Sequence, residues 1–517
     1  MYPQSNSTPF QPAAGAPTLF ASWTPRATYY VATLAVLLVA WLLRPKPQPC
    51  KLGVPFYGAS KLKWIFDAES QIVASYNKFR DQVYQIKATE GIQAMIPPRF
   101  IAELKGLPED ILSSTEAVAD ALQTKYTKFS PGHNGDMLSL LVRTRLTQNL
   151  VELIPQLKGE LESYIATEFP PCEDWTPVKW QPFALRGIAR LSGRAFVGPS
   201  LNRDEQWMEV TINFAIDVFM SVIKLQLFPE WARPVAQYLV SDLRKIRRDI
   251  NTAKYLLKPL LQERIRDMEI SSFHDPPNDL MQWLIEALPE EEKSDVQTHA
   301  ELQLILAAAS IHTTNNLLFE CMADLASHPE VQAELREEAY QILEVEGGWA
   351  RKESMAKLKK LDSFMREVQR LRGNITSFIR KVLKPIDLSD GTHLPAGTRV
   401  LAPQAGISID EQYYQSPEEF DALRFYNMRQ QSAEASNRWQ FTSLCDTNLN
   451  FGAGKHACPG RFFAGNEIKL ILAFFLINYE VRLKKGDQRP KPMAMVMTKG
   501  PDANAEFEFR RWQLAKE

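Results

Sequence analysis

The run Phe451-Gly452-Ala453-Gly454-Lys455-His456-Ala457-Cys458-Pro459-Gly460-Arg461 limits this chain more than any other stretch. It sets one cysteine just ahead of an apolar segment, Phe462 to Tyr479, that reads as a helix. Gly452, Gly454 and Gly460 allow a tight loop whose backbone can approach a flat partner, where a β-carbon would obstruct. Pro459 suits the first helical position, which predicts Cys458 at the helix N-terminus. Unpaired backbone N–H groups and the positive end of the helix dipole favour thiolate over thiol there. A lone cysteine in a glycine-containing turn is also compatible with a free buried thiol.

A thiolate presented in this way is a ligand for a soft metal centre, and the stretch reads as a haem-thiolate site. The spacing Phe451-x-x-Gly454-x-x-x-Cys458-x-Gly460 resembles the haem-binding signature of the cytochrome P450 superfamily. The resemblance implies that Cys458 is the axial ligand of haem b (iron protoporphyrin IX), with Phe451, Gly454, His456 and Gly460 in the cofactor loop. His456 stands where many members carry an arginine that pairs with a haem propionate, and an imidazole in that role carries a pH-dependent charge. Arg143, Arg145 and Arg380 are further candidates for the propionates, or ordinary surface arginines. Arg380 is preferred, then His456.

At 517 residues, 45% apolar and with formal charge −1, the chain is long enough for a large core and has no global nucleic-acid-binding character. Five scattered cysteines give neither a disulfide framework nor a Cys-x-x-Cys zinc pattern, which fits a reducing compartment. Ala27 to Leu43 is a run of 17 uncharged, mainly apolar residues between Arg26 and Arg44, the short end of a membrane span. Positive residues follow it, which predicts a cytosolic main domain on a single-pass anchor. The end of the run, Ala-Trp-Leu-Leu-Arg, lacks a small-residue cleavage site and argues against a signal peptide. The expected organisation is a lumenal 1–26, an anchor 27–43, a Pro-rich spacer 44–52 and a catalytic domain 53–517 in the endoplasmic reticulum membrane. Asn6-Ser7-Thr8 matches a glycosylation acceptor.

Helical periodicity dominates residues 100–372, as in Leu138 to Leu157 and Val235 to Met268. Strand-like pieces and turns follow at Ser377 to Leu383, Asp390-Gly391-Thr392 and Pro395-Ala396-Gly397. The fold class is therefore mainly α with small β-sheets. The superfamily resemblance implies the cytochrome P450 fold, a helical prism with small sheets, over essentially all of residues 50–517.

Leu302 to Leu325 reads as a buried helix, yet its middle is Ser310-Ile311-His312-Thr313-Thr314-Asn315-Asn316. Such a polar cluster points to a cavity, water or cofactor alongside, or to side chains that cap and bend their own helix. Ala309 to Thr314 resembles the superfamily's oxygen-binding helix, which implies that Thr313 helps bring protons to oxygen. Ser310 replaces a glycine there and His312 an acid; His312 is either a proton relay or a passive helix residue. Glu367-Val368-Gln369-Arg370 sets an acid and a guanidinium on one helix face, ordinarily a solvated pair. It resembles the superfamily's Glu-x-x-Arg helix, and Pro417 to Phe425 resembles the segment whose arginine, here Arg424, completes a buried structural triad.

The resemblance implies a monooxygenase that takes electrons from NADPH through NADPH-cytochrome P450 reductase and inserts one atom of O2 into a lipophilic small molecule. Lys455, Arg461 and Lys469 offer positive charge to an acidic reductase, or are plain solvated charges. Two alternatives stay open: a haem-thiolate isomerase or dehydratase that works without reductase, and a non-catalytic haem sensor or electron carrier. The Cys loop and the Ile-His-Thr-Thr helix resemble membrane-bound fungal members that act on terpenoids, meroterpenoids or indole alkaloids, including the ent-kaurene oxidase type. Residues about 100–130 and 205–230, with Phe214, Phe219, Met220 and the helix face near Ala308 and Ala309, are candidates for the substrate pocket or for ordinary core.

Overall fold

The computed structural model describes residues 52–512 except 59–60, 89–90, 271–275, 351 and 496–497. The expected anchor, Asn6 and most of the spacer lie outside the described residues. Among those described, no single helix is long and apolar enough to cross a membrane.

The helices that frame the site are α1 (Leu150–Glu168), α2 (Trp180–Phe196), α3 (Glu205–Gln226), α4 (Ser241–Glu269), α5 (Val296–Ser327), α6 (Pro329–Tyr340), α7 (Lys359–Arg372) and α8 (Arg461–Asn478). Helix α5 packs against α2, α3, α4, α7 and α8. Asp295 starts it by accepting the N–H groups of Gln297 and Thr298, and Pro329, which cannot continue a helix, opens α6 just beyond its end. Its side chains are buried nearly all round, as expected of a helix without a polar face.

Two helices expected from periodicity are broken. In place of one helix over Leu138–Leu157, Gly135–Leu141 passes into a π turn over Val142–Leu146 before α1 begins. The physical cause is local: Thr144, Thr147 and Asn149 donate side-chain hydrogen bonds to the carbonyls of Leu140, Val142 and Arg145. Likewise Arg233–Ala236 is a separate short helix before α4.

The strands are β1 (Phe56–Tyr57), β2 (Tyr84–Ala88), β3 (Gly91–Met95), β4 (Leu112–Ser113), β5 (Thr176–Lys179), β6 (Ser377–Val382), β7 (Ile386–Asp387), β8 (His393–Leu394), β9 (Arg399–Ala402), β10 (Tyr479–Arg482), β11 (Met493–Met495), β12 (Thr498–Gly500) and β13 (Glu506–Arg511). The largest sheet runs β1-β2-β3-β9-β6-β4, and β5 joins β10 and β13 in a second. The sequence shows clear strand signals only beyond residue 372. The early β1 to β3 were not legible because β2 is buried on both faces along most of its length and shows no alternation. The two later turns stand where expected, with Gly391 at φ +84° and Gly397 at φ +88°.

Candidate active site at the cysteine loop

Gly460, not Pro459, caps α8, so the Pro459-Gly460 turn separates the cysteine from the helix. The loop closes on itself through Cys458 N–H, which donates to Phe451 O at 2.7 Å. Gly454 has φ +64°, and a β-carbon there would stand 2.4 Å from Lys105 O. Phe451 packs edge-on against Phe441, with ring centroids 5.2 Å apart. The thiol of Cys458 is accessible although protein surrounds it. Burial pushes that thiol up, and the N–H groups of Gly460 and Arg461, with the Arg461 charge, only partly offset the effect. The helix start alone therefore does not yield a thiolate. The charge of a coordinated metal would be needed to hold the sulfur deprotonated.

In α5, Ala309 and Thr313 are accessible one turn apart while Ile311 and Thr314 beside them are buried, so the polar cluster borders a notch. Thr313 Oγ1 donates to Ala309 O at 2.7 Å, the self-capping bond that serine and threonine make readily in helices. His312 Nε2–H donates to Ile212 O of α3 at 2.8 Å, and burial pushes the imidazole pKa down. His312 thus stands as a neutral tie between two helices. Ser310 Oγ lies 3.3 Å from Ser192 Oγ of α2. Among the expected pocket residues, Phe214 is buried against Phe129, Phe219 is 47% exposed and Ala308 is buried.

The propionate candidates divide. A bulge in β6 between Ser377 and Arg380 turns Arg380 inward, where Nη1 donates to Ser114 Oγ at 3.2 Å and to Ile379 O at 2.8 Å. Its Nη2 is buried without a hydrogen-bond partner. Burial lowers this guanidinium to about 10, still a cation at neutral pH. A buried cation with one nitrogen unspent fits an anionic group. His456 Nε2 lies 2.7 Å from Glu109 Oε2. Against the upward push of burial, the Thr115 N–H, the Ser113 hydroxyl and His456 hold Glu109 at about 2. Burial and then the charges of Arg380 and Lys455 push His456 down, while Glu109 opposes them. Arg143 is exposed and its charge is felt at Arg461; Arg145 faces Glu286 at 3.8 Å.

Behind the loop, Glu367, Arg370 and Arg424 meet as one buried cluster. Arg370 holds both oxygens of Glu367 at 2.8 and 2.7 Å, and Arg424 Nε donates to Oε1 at 3.1 Å. Arg370 Nη1 also donates to the carbonyls of Ser408 and Pro417, each at 2.6 Å. Asn450, one residue before the motif, ties α7 to the loop by accepting Asn374 N–H at 2.9 Å and donating to Gln369 O at 3.4 Å. Sequence reasoning missed Arg366, fully buried with its guanidinium 4.8 Å from the Phe425 ring and 5.4 Å from the Trp439 ring. The aromatic content of 425–441 was the only available signal, and it gives no partner. Lys469 is corrected: it is buried and paired with Asp362, so it offers no charge to a docking partner. Among the described residues no group of three or more His, Cys, Asp or Glu is placed to hold a bare metal ion. A single sulfur ligand suits a metal whose other ligands come from a macrocycle.

The family model described as Cytochrome P450 matches residues 203–507. The cytochrome P450 monooxygenase AN1598 of Emericella nidulans is 34% identical over 95% of this chain and 94% of its own length. The cytochrome P450 monooxygenase braC of Annulohypoxylon truncatum is 33% identical over 90% of this chain and 93% of its own. An ent-kaurene oxidase of Gibberella intermedia is 31% identical, over 88% and 86% respectively.

Proposed function

Because this chain belongs to the cytochrome P450 family, we propose that it is a haem-thiolate monooxygenase of fungal secondary metabolism that oxidises a lipophilic small molecule once or in successive steps. The observation that carries this reading is the accessible Cys458 thiol on a glycine loop at the start of α8. Haem b, when bound, supplies the iron at which O2 is activated with electrons from NADPH-cytochrome P450 reductase. Cys458 would hold that iron, Phe451, Gly454 and Gly460 would give the loop its flat approach, and Arg380, with His456 and Arg143, would meet the propionates. Thr313 keeps its hydroxyl at the notch through Ala309 O, leaving the oxygen lone pairs free to accept from water and orient it. His312 has Nε2–H committed to Ile212 O, so Nδ1 is the atom that could take up a proton. Glu367, Arg370 and Arg424 hold the loop's support, while Lys455 and Arg461 carry positive charge on the loop toward an acidic reductase.

The substrate class suited to this reading is a terpenoid, meroterpenoid or indole alkaloid, with Ala309 on the notch side. Residues 27–43 would anchor the chain in the endoplasmic reticulum membrane with the catalytic domain in the cytosol. The test is a reduced carbon monoxide difference spectrum of wild type and Cys458→Ala, followed by incubation with terpenoid and indole precursors with and without NADPH and reductase. A thiolate-type band that is lost with Cys458, and product only with reductant, are expected. A band that survives Cys458→Ala, or turnover without reductant, would overturn the reading.

A further inference from the structure

Helix α4 carries a charged outer face that the cysteine loop does not use. Arg244, Arg247, Arg248, Asn251, Thr252 and Tyr255 recur at three- and four-residue steps, which places them on one side of the helix. With Gln206 from the first turn of α3 they line an open groove of about 630 Å³, and no acidic residue lines it. The acids nearby are engaged elsewhere: Asp242 pairs with Lys224 and Lys245, Asp217 with Lys245, and Glu205 with Arg186. Asp249, next in the chain to Arg248, is half-buried, and burial pushes its carboxyl up to about 6 with the Arg248 charge only partly opposing. The three arginines are exposed. Like charges at these steps destabilise a helix, and the lining of the groove supplies nothing to offset the repulsion.

The chemistry of this face changes along the helix axis. The guanidinium groups stand at one end, Asn251 and Thr252 in the middle, and Tyr255 at the other end, 76% exposed and about 16 Å from Arg244 by helical rise. Thr252 Oγ1 donates to Arg248 O at 3.1 Å, which leaves its lone pairs to accept from a ligand. We propose that this face is a binding site for a nucleoside polyphosphate. The phosphates lie on Arg244, Arg247 and Arg248, the sugar hydroxyls meet Asn251 and Thr252, and the base stacks on the Tyr255 ring. A planar guanidinium meets two phosphate oxygens at once, so three of them in a groove without acids complement a chain of phosphates. The order from anion to hydroxyl to flat ring is that of a nucleotide. A lipid phosphate satisfies the arginines alone and leaves the ring end unused. The site is separate from the cysteine loop and involves binding only, so it does not depend on the monooxygenase reading.

The experiment titrates the full-length holoenzyme, without reductase or reductant, in a calorimeter with ATP, tripolyphosphate, adenosine and a short-chain phosphatidic acid. ATP should bind once per chain and more tightly than each of the other three. Replacing Arg247 and Arg248 together by Gln should weaken ATP by at least about tenfold, as loss of charge-assisted hydrogen bonds implies. The same pair replaced by Lys keeps the charge and should recover only part of the affinity, because the fork is lost. Tyr255→Ala should weaken ATP about fivefold and leave tripolyphosphate unchanged, since only the base stacks on the ring. All three positions are exposed, so melting temperatures should match wild type, and the Lys pair and Tyr255→Ala keep the test open if the Gln pair does not. The absence of saturable ATP binding, or ATP binding that survives loss of both arginines, overturns the site and leaves plain solvated charge. ATP no tighter than tripolyphosphate, or indifferent to Tyr255→Ala, overturns the nucleotide. Phosphatidic acid bound through the arginines by a chain that ignores ATP overturns it too, in favour of a lipid headgroup surface. None of these outcomes touches the carbon monoxide band or the need for reductant, on which the monooxygenase reading stands.

Discussion

Cys458 and Glu467 lie nine positions apart along the chain, and burial acts on both in the same direction, disfavouring charge. For Cys458 in the proposed haem site, the consequence is that the charge of a bound iron would have to complete what the loop's N–H groups begin. For Glu467 it is a pH-dependent stability. The folded pKa of about 8 lies above the usual glutamate range, so the folded chain binds the extra proton between the two values. Stability is fully present below the unfolded pKa and is lost as pH rises through about 8. Glu467→Gln removes that loss, and its melting temperature relative to wild type should climb from pH 5 to pH 8. The change is on the order of a few kcal/mol, measurable by calorimetry at each pH. Thr313→Ala belongs to the same scale. Product per NADPH should fall while melting changes little, since the bond it loses is to its own helix and is worth about 1 kcal/mol.

At the scale of elements, α7 acts through what it fastens. Glu367 compensates two buried guanidinium groups, so Glu367→Ala would leave both Arg370 and Arg424 uncompensated, at a cost of about 3–5 kcal/mol. Because Asn450 couples α7 to the cysteine loop, the purified variant should also contain less haem per chain, read from its absorbance ratio. Helices α3 and α5 share a smaller tie. His312→Ala removes one hydrogen bond to Ile212 O, worth about 1 kcal/mol, and should lower the denaturant midpoint slightly. If coupling also falls, the imidazole moves protons as well as holding α3. The turns at Gly391 and Gly397 were legible because they are local chemistry, whereas the Asp295 cap that starts α5 was not read from the sequence. The bulge that aims Arg380 was not, since it depends on how β6 pairs with β9.

At the scale of the whole molecule, a cofactor that binds only the folded chain adds to its stability by mass action. Haem-free protein should therefore melt below the holoenzyme, and added haemin should restore the difference in a dose-dependent manner in scanning calorimetry. By itself the sequence determined the site's local parts: Cys458 on its glycine loop, Thr313 in an apolar helix, and the Glu367 and Arg370 spacing. Each is set within a few residues, by glycine's access to positive φ, by helical periodicity or by side-chain spacing. The tertiary structure alone decided which groups are buried and whom they meet. Lys469 is paired inside with Asp362, Arg366 lies against two aromatic rings, and Glu467 reaches Ser192 across a separation of 275 residues. The reason is that desolvation and partner choice depend on the packing of helices far apart in the chain, and no local pattern encodes that distance.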